Sequence, residues 1–562
     1  MVKRIGNQGN LIAPKSISAA TAPQKVRTPP SQGLSDAPGP GYPDMKGALP
    51  KGSAVAGMLG NAAVLRRFGP QIASAQKLME TLAADFQGGR APQLETKQEL
   101  MRALSALDEG GVLEPALGKL IDTMIAAGKL PADLAPKRDM LIGLAATSVR
   151  AEAWVLLQPG FESWPRLAEK LLPKVGTTPI GAAGFVEEFS RLTRSQFVDG
   201  NKVDCLAKGP EFTAAVTDLI KNTSGPLFLN YWGIYDDVTG AAVKDLLLEA
   251  KARGVEIHII VDGKTSAHHG GHEILPALEA AGVDVVRWQD TNNPPVGNHI
   301  KFITDGKTTV AGGSNLGDAY THLGEGAKWS DSNIKITGPV AQNYVKLFKS
   351  LYKTGGGDQR LPRAEAGAVA GDDRVSLIET RANKDHQVLA AILKVISGAQ
   401  KTLQLNQAYF IMTPPIEAAL RAAIQRGVKV ELLTNSHTSV DEPAIAEAIL
   451  ISAKRLLQIG HDEGKAANVS VYLKQGDTLH DKTVVADGQI TLDMSYNLHP
   501  RSEWLEYEIA TATLGEKTAK THTSAFDDLK KNGAVKVTDP AQIPIDAPGA
   551  DDFMREIFRN VL

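Results

Sequence analysis

The sequence predicts an α/β protein built from two similar lobes behind an N-terminal helical region. Three observations carry this prediction. Short β-branched runs alternate with helical stretches beyond residue 176, the same alternation returns later in the same order, and apolar side chains recur at helical spacing before it. Alternating strands and helices are typical of largely parallel sheets. A chain of 562 residues is long enough for two or three domains.

The first 175 residues divide into a tail and a helical domain. Residues 1–55 are rich in Pro, Gly, Ser, Ala and Lys, and such a stretch buries too little apolar surface to offset the entropy of ordering it. We therefore predict a disordered tail. In residues 56–175, Leu113, Leu117 and Leu120 recur at helical spacing, which predicts a helical domain.

The two lobes are predicted over residues 176–353 and 374–562, with a Gly- and Ala-rich linker at 354–373. Both lobes contain the same corner, centred on Gly254 and Gly427. In each, a basic last helical turn is followed by a glycine C-cap and a β-branched strand start. This duplication has a period of about 175 residues, far longer than the repeats of solenoid proteins.

Each lobe has its own order of predicted elements. In the first, strands are predicted at 226–231, 255–261 and 283–288, with helices at 241–253 and 272–281. In the second, strands are predicted at 401–405, 428–433 and 469–473, with helices at 415–426 and 444–459.

Composition disfavours several classes of protein. Lys and Arg number 61 against 63 Asp and Glu, so the chain lacks the basic excess of a general nucleic-acid binder. The lone Cys205 excludes an intramolecular disulfide. Neither a signal peptide nor an apolar run of about 18 residues is found. We therefore expect a soluble protein in the cytoplasm or peripherally at a membrane, with export by a dedicated system left open.

Each lobe ends in the same polar cluster. The first lobe has His299, Lys301 and Asn315, and the second has His480, Lys482 and Asn497. A His and a Lys two positions apart on a strand point to the same face. An Asp-Gly turn then returns the chain on a neighbouring strand, which predicts that each Asn lies beside its own pair.

A single cluster of this kind is usually a solvated strand edge, but two copies in matching lobes predict one shared site. That site would hold two imidazoles, two ammonium groups and two carboxamides, an inventory that suits a phosphodiester. Ammonium and amide donors hold the non-bridging phosphate oxygens. One neutral histidine can attack phosphorus while the other, protonated, donates to the leaving alkoxide.

The spacing His-x-Lys-x₄-Asp, followed by Gly-Gly or Gly-Ser and Asn, resembles the signature of the phospholipase D superfamily. The second copy fits the His-x-Lys-x₄-Asp spacing fully at His480, Lys482 and Asp487, whereas the first has one residue fewer before Asp305, which we attribute to a deletion in the hairpin. The runs 312–320 and 495–502 are similar to the cardiolipin-synthase branch. Three residues depart from it: Glu506 stands where the family usually has Asn, and Asp493-Met494 replace a small pair.

The resemblance implies two pseudo-symmetric lobes with the active site between them. His299 would attack the phosphate to form a phosphohistidine, and His480 would protonate the departing alcohol and then activate the acceptor. Asp331 and Glu508 are implied as the acidic residues that orient the imidazoles. Other motif positions are implied to be structural: Asp305, Asp487, Ser314 and Ser495.

The implied substrate is a phospholipid at a membrane surface, with water, glycerol or another alcohol as acceptor. No cofactor, metal or nucleic-acid partner is expected. A monomer is plausible because both motifs lie in one chain.

Two alternatives stay open from the sequence: a nuclease of the same superfamily, and a non-catalytic lipid-binding or effector protein that works through its N-terminal parts. A metal site at His268, His269 and His272 is also considered, although a Gly-rich loop after a strand is the better explanation of that run.

Overall fold

The computed structural model describes residues 62–87, 94–126, 138–157, 163–266, 271–290, 296–382, 384–441 and 445–543. The predicted tail, residues 1–55, lies outside the described residues, as do His268 and His269. Among the helices that the structure describes, none combines the length and the apolar character needed to cross a membrane.

The N-terminal region is helical, as predicted. Its helices are α1 (Ala62–Gln87), α2 (Leu94–Glu109), α3 (Leu113–Ala126), α4 (Arg138–Leu156), α5 (Trp164–Val175) and α6 (Phe185–Thr193). Leu113, Leu117 and Leu120 are all buried along α3, because their spacing places them on one helix face.

The first lobe alternates strands and helices. Its elements are β1 (Val198–Leu206), α7 (Gly209–Asn222), β2 (Leu227–Tyr231), α8 (Val238–Ala252), β3 (Ile257–Asp262), α9 (Ile274–Ala280), β4 (Asp284–Trp288), β5 (Gly297–Asn298), β6 (Phe302–Thr304), β7 (Thr308–Gly312), α10 (Asp318–Thr321), β8 (Asn333–Thr337) and α11 (Ala341–Thr354).

The second lobe repeats this order. Its elements are β9 (Asp373–Thr380), α12 (Gln387–Gly398), β10 (Thr402–Gln407), α13 (Pro414–Gln425), β11 (Lys429–Thr434), α14 (Ala446–Asp462), β12 (Val469–Lys474), β13 (Lys482–Ala486), β14 (Ile490–Met494), α15 (Pro500–Trp504), β15 (Glu506–Leu514), α16 (Glu516–Gly533) and β16 (Ala534–Val537). Gly254 and Gly427 both adopt a φ of 90°. This left-handed conformation closes a helix before a strand, so both predicted corners are present.

One mixed sheet runs through both lobes of the described chain. Its order is β16-β12-β11-β10-β13-β14-β15-β9-β1-β8-β7-β6-β2-β3-β4, with β5 paired to β15. The order is symmetric about the β9–β1 pair: β15 mirrors β8, β14 mirrors β7, β13 mirrors β6, and β10-β11-β12 mirror β2-β3-β4. The internal duplication read from the sequence is therefore a pseudo-twofold arrangement.

The fold class is confirmed, and the sheet differs from the expectation in two details. The lobes share one sheet through the antiparallel pair β1–β9 instead of forming two sheets. Among the strands that the structure describes, parallel pairing is limited to β2-β3-β4, β10-β11-β12 and the β5–β15 contact, and two isolated parallel bridges lie outside these strands. The remaining pairs are antiparallel, since hairpins such as β6–β7 and β13–β14 reverse the chain direction.

The last two N-terminal helices pack on the second lobe. Helices α5 and α6 contact α12 and α13, although α6 falls within the range predicted for the first lobe. The fully buried Lys394 of α12 forms an ion pair with α6, because its ammonium group lies 2.5 Å from a carboxylate oxygen of Glu188. The same ammonium group lies 5.1 Å from the ring centre of Phe185.

Replacing Lys394 with Met is expected to lower the melting temperature by several degrees, because the partly exposed Glu188 would lose its buried cation. The double variant Lys394→Met/Glu188→Leu should recover most of the loss. Thermal unfolding followed by circular dichroism measures both, with the exposed Lys346→Met as the control. Equal melting temperatures for Lys394→Met and Lys346→Met would show that the ion pair does not stabilise the packing of α6.

Candidate active site

A short backbone contact fixes His299 against the second lobe. Strand β5 pairs in parallel with β15, which places Asn298 opposite Tyr507. The backbone N–H of His299 then donates to the carbonyl of Tyr507 at 3.1 Å. The side chain of His299 is thereby held at the lobe interface.

A matching contact fixes His480 against the first lobe. Ser330 and Leu479 form a bridge, and the backbone N–H of His480 donates to the Ser330 carbonyl at 2.7 Å. The expectation that both histidines lie on strands is wrong in detail. His299 falls between β5 and β6, and His480 precedes β13, because inter-lobe contacts replace the strand ladder at both positions.

The acidic partner of His480 comes from the other lobe. Nδ1 of His480 lies 2.8 Å from Oδ2 of Asp331, which immediately follows Ser330. The hydroxyl of Ser314 donates to the same carboxylate oxygen at 3.1 Å. Both the histidine and the aspartate are buried. The first lobe therefore orients the imidazole of the second.

The acidic partner of His299 likewise comes from the opposite lobe. Nδ1 of His299 lies 3.1 and 3.2 Å from the two carboxylate oxygens of Glu508, which immediately follows Tyr507. The hydroxyl of Ser502 donates to Glu508 at 2.7 Å. On the same face of β15, an oxygen of Glu506 lies 3.8 Å from Nδ1 of His299.

The two lysines are buried beside their histidines. Nζ of Lys301 donates to the backbone carbonyl of His299 at 2.6 Å. Nζ of Lys482 donates to the backbone carbonyl of His480 and lies 3.0 Å from Nδ1 and 3.3 Å from Nε2 of the same ring. Each lysine therefore brings its ammonium group to the edge of the shared site.

The electrostatics of the site are shared between the lobes. Burial lowers the pKa of His299 well below its ordinary value, and the charges of Lys301, Lys482 and His480 act in the same direction. Burial, Lys482 and Lys301 lower the pKa of His480 in the same way. Because groups of each lobe act on the histidine of the other, the two motifs form one site.

Burial also moves two charged groups of the site toward neutrality. It raises the pKa of Asp331 to about 7 and lowers that of Lys301 to about 7. A bound phosphodiester anion would favour the protonated lysines and imidazoles, since an opposite charge nearby stabilises the charged form.

The two asparagines have different surroundings. Oδ1 of Asn315 accepts from the backbone N–H of Gly233 at 3.2 Å, and its Nδ2 donates to the hydroxyl of Tyr320 at 3.2 Å. Oδ1 of Asn497 is buried without a hydrogen-bond partner among the described residues. An unpartnered buried amide oxygen is unusual, and a ligand hydroxyl would satisfy it.

The motif aspartates bind backbone at hairpin ends. Asp305 accepts from the N–H groups of Lys307 and Thr308 in its own turn. Asp487 accepts from the N–H groups of residues 400–402 at the start of β10. In the first hairpin, the turn between the last paired residues of β6 and β7 spans residues 305–308. In the second hairpin, the turn between β13 and β14 spans residues 487–489. The first hairpin thus has one strand pair fewer and a longer turn, and these contacts support a structural role for both aspartates.

Aromatic rings cover both imidazoles. Trp232 meets the His299 ring edge-on at 5.0 Å, and Tyr320 meets the His480 ring edge-on at 5.2 Å. Trp329 lies 5.4 Å from the His480 ring at 30°, and Tyr409 contacts the same ring at 6.3 Å. These rings restrict access of water to the histidines.

His299, Glu506 and Glu508 have donor atoms within 4.8 Å of one another, the spacing of a metal site. Arg501 already donates to Glu506 at 2.7 Å, and Ser502 donates to Glu508. The carboxylate oxygens therefore face N–H and O–H donors, so these residues do not fit a metal ion.

Comparison with known proteins gives the family. A family model described as the PLD-like domain of cardiolipin synthase matches residues 226–352 and 392–530, which contain both His/Lys/Asn sets. The chain belongs to the phospholipase D superfamily.

Two relatives agree with this assignment, and a solved structure shares the fold. Cardiolipin synthase A of Pseudomonas fluorescens (strain SBW25) is 28% identical over 343 residues, which is 59% of this chain and 68% of that protein. Cardiolipin synthase A of Pseudomonas putida (strain GB-1) is 27% identical over 342 residues, with 58% and 68% covered. The crystal structure of phosphatidylserine synthase from Haemophilus influenzae Rd KW20 matches with a TM-score of 0.56 at 13% identity, covering 67% of this chain and all of that one, which shows a shared fold.

Within this superfamily member, sequence reasoning missed several residues of the site. Trp232 carries no motif, and its position directly after the carboxyl end of β2 was the signal that could have found it. Arg501 entered the sequence analysis only within the run 495–502 that resembles the cardiolipin-synthase branch. Two tryptophans of the first lobe differ in position: Trp329 contacts the ring of His480, whereas Trp288 is buried against Tyr507 at 4.9 Å.

Proposed function

We propose that this phospholipase D superfamily member is a phospholipid phosphodiesterase or phosphatidyltransferase working through a phosphohistidine intermediate. The exchanged pairing of the imidazoles carries the proposal. Each Nδ1 is held by a carboxylate of the opposite lobe, Glu508 for His299 and Asp331 for His480. Such anchoring fixes the tautomer and directs Nε2 to the reacting atoms.

In the first step, Nε2 of His299 attacks the phosphorus of a phospholipid. The bond between phosphorus and the headgroup oxygen breaks, and His480 gives its Nε2 proton to the departing alcohol. Lys301 and Lys482 hold the non-bridging oxygens, where negative charge is concentrated. The product is a phosphatidyl group linked to His299.

In the second step, the now neutral His480 takes the proton of an incoming acceptor hydroxyl. The acceptor oxygen bonds to phosphorus, the phosphorus–nitrogen bond breaks, and His299 is released as a neutral imidazole. Asn497 supports this step, because its unpartnered Oδ1 can accept from an acceptor hydroxyl. Water as acceptor gives a phospholipase D, and an alcohol such as glycerol gives a phosphatidyltransferase.

The lipid is expected to be met at a membrane surface by peripheral association. Trp232 and Trp329 beside the histidines provide an apolar approach for a lipid.

Incubation with labelled phosphatidylglycerol vesicles, with and without added ethanol, tests the proposal. We expect free phosphatidic acid if water is the acceptor, and a new phosphatidyl ester if the alcohol is. The exposed His461→Ala variant should behave as the parent protein does. Absence of product from every phospholipid tested would contradict the proposal, and cleavage of DNA in its place would favour a nuclease.

A further inference from the structure

The pseudo-twofold arrangement gives every residue at one histidine a counterpart at the other. The backbone of His299 donates to Tyr507, and that of His480 donates to Ser330. The next residue along each chain is the acidic partner, Glu508 or Asp331. The residue before must then correspond too, so Glu506 is the counterpart of Trp329.

These counterparts differ in chemistry. At His480, the indole of Trp329 lies against the imidazole, with the ring centres 5.4 Å apart and the planes at 30°. At His299, the same place holds the carboxylate of Glu506, 3% exposed, with one oxygen 3.8 Å from Nδ1. Its other oxygen accepts from Nε of Arg501 at 2.7 Å. One imidazole therefore has a second carboxylate beside it, and the other has an apolar ring.

The charged groups that face His299 come from both lobes. Lys301 lies on its own segment, Glu506, Glu508 and Arg501 lie around β15, and Lys482 and His480 belong to the opposite motif. Although burial opposes ionisation, the charges of His299 and Arg501 keep the pKa of Glu506 well below its usual range. Burial and the charge of Glu506 raise the pKa of Glu508. Because Arg501 pairs with Glu506 at 2.7 Å, Glu506 keeps a negative charge beside His299.

On the basis of the proposed function, we propose that Glu506 is a positioning residue. It makes His299, and not His480, the histidine that carries the phosphatidyl group. When Nε2 of His299 bonds to phosphorus, its ring gains a positive charge at Nδ1–H, and the alkoxide leaves with the proton of His480. A carboxylate beside the ring that gains charge lowers the barrier, because the interaction strengthens in the transition state. His480 loses charge in this step, and an indole in the place of a carboxylate makes it the readier proton donor.

Two phosphodiesters distinguish the two possible roles of His299. Bis(p-nitrophenyl) phosphate has a leaving group that needs no proton, so the rate of its transfer to the enzyme depends on the nucleophile alone. Phosphatidylglycerol has an alkoxide leaving group that needs both the nucleophile and the acid. The variants are Glu506→Gln, which keeps the size of the side chain, and Glu506→Asn, which carries the residue usual in the family.

We expect Glu506→Gln to slow both substrates by the same factor, about ten- to hundredfold. Because Glu506 raises the pKa of His299 and the nucleophile must be neutral, the limb of kcat/KM that reports His299, which lies below the Asp331 limb at about pH 7, should move to lower pH by about 1–3 pH units. Glu506→Asp keeps the charge and should retain the parental acidic limb.

Slowing of phosphatidylglycerol alone, or a shift of the alkaline limb instead, would mean that His299 is the acid and would overturn the proposal. Unchanged rates and pH profiles in folded Glu506→Gln and Glu506→Asn would also overturn it, since a merely structural residue gives that result. Failure of the proposed function is distinct, because the unaltered protein would then release no product from phosphatidylglycerol.

Discussion

Replacing His480 with alanine is expected to slow turnover of phosphatidylglycerol on the order of 10⁴-fold or more, because both steps lose their proton carrier. His299→Ala should be equally inactive, since no nucleophile remains to form the intermediate. Released phosphatidic acid or transphosphatidylation product measures both effects, with His461→Ala as the folded control. Near-parental rates in either variant would contradict a mechanism that needs both imidazoles.

The two alanine variants should differ with an activated substrate. In His480→Ala, bis(p-nitrophenyl) phosphate can still transfer its phosphoryl group to His299, because p-nitrophenolate leaves without a proton. Resolution of the intermediate lacks its base, so we expect one rapid equivalent of p-nitrophenolate followed by slow release. His299→Ala should show no burst. A burst in His299→Ala and none in His480→Ala would reverse the two roles.

Asp331→Asn is expected to lower kcat about 10²- to 10⁴-fold with little change in KM. The carboxylate lies 2.8 Å from Nδ1 of His480, and an amide of the same size can neither stabilise the imidazolium nor fix its tautomer. Because burial raises the pKa of Asp331 to about 7, the parental rate should fall as the pH drops through that value and protonates the carboxylate. The variant should lack this dependence.

A double-mutant cycle tests whether Asp331 acts through His480. If it does, Asp331→Asn should cost little more in a His480→Ala background, since the group it serves is already absent. Independent, multiplicative losses would show a separate role for Asp331. Glu508→Gln in a His299→Ala background provides the corresponding cycle for the first motif.

Much of the fold is predictable from the chain because its elements are specified locally. The corners at Gly254 and Gly427 depend on a few neighbouring residues, and both appear where the sequence places them. The two lobes share one sheet because β1 pairs with β9. These strands are distant in sequence, and neither has a sequence pattern that predicts which strand it pairs with. The packing of α6 on the second lobe is non-local in the same way.

In the site, too, the locally specified residues could be predicted and the contacts between distant residues could not. The histidines and lysines could be found because they recur at matched spacing in two motifs, and the acidic residues because the family resemblance implies them. The sequence could not predict that Asp331 contacts His480 and that Glu508 contacts His299. This exchange between the lobes follows from the contacts of β5 with β15 and of Ser330 with Leu479. Glu506 appeared in the sequence only as a departure from the family, and its distance from His299 is what gives it a role.

The phosphohistidine is the centre of this account, and trapping it is the most direct test. Phosphatidylglycerol labelled in the phosphatidyl phosphate should be mixed with the protein, quenched within one turnover and digested for mass spectrometry. The account predicts a phosphatidyl adduct on the peptide that contains His299, formed and lost at the rate of turnover. Active protein that never carries the label, or carries it on a residue other than a histidine of the two motifs, would contradict it.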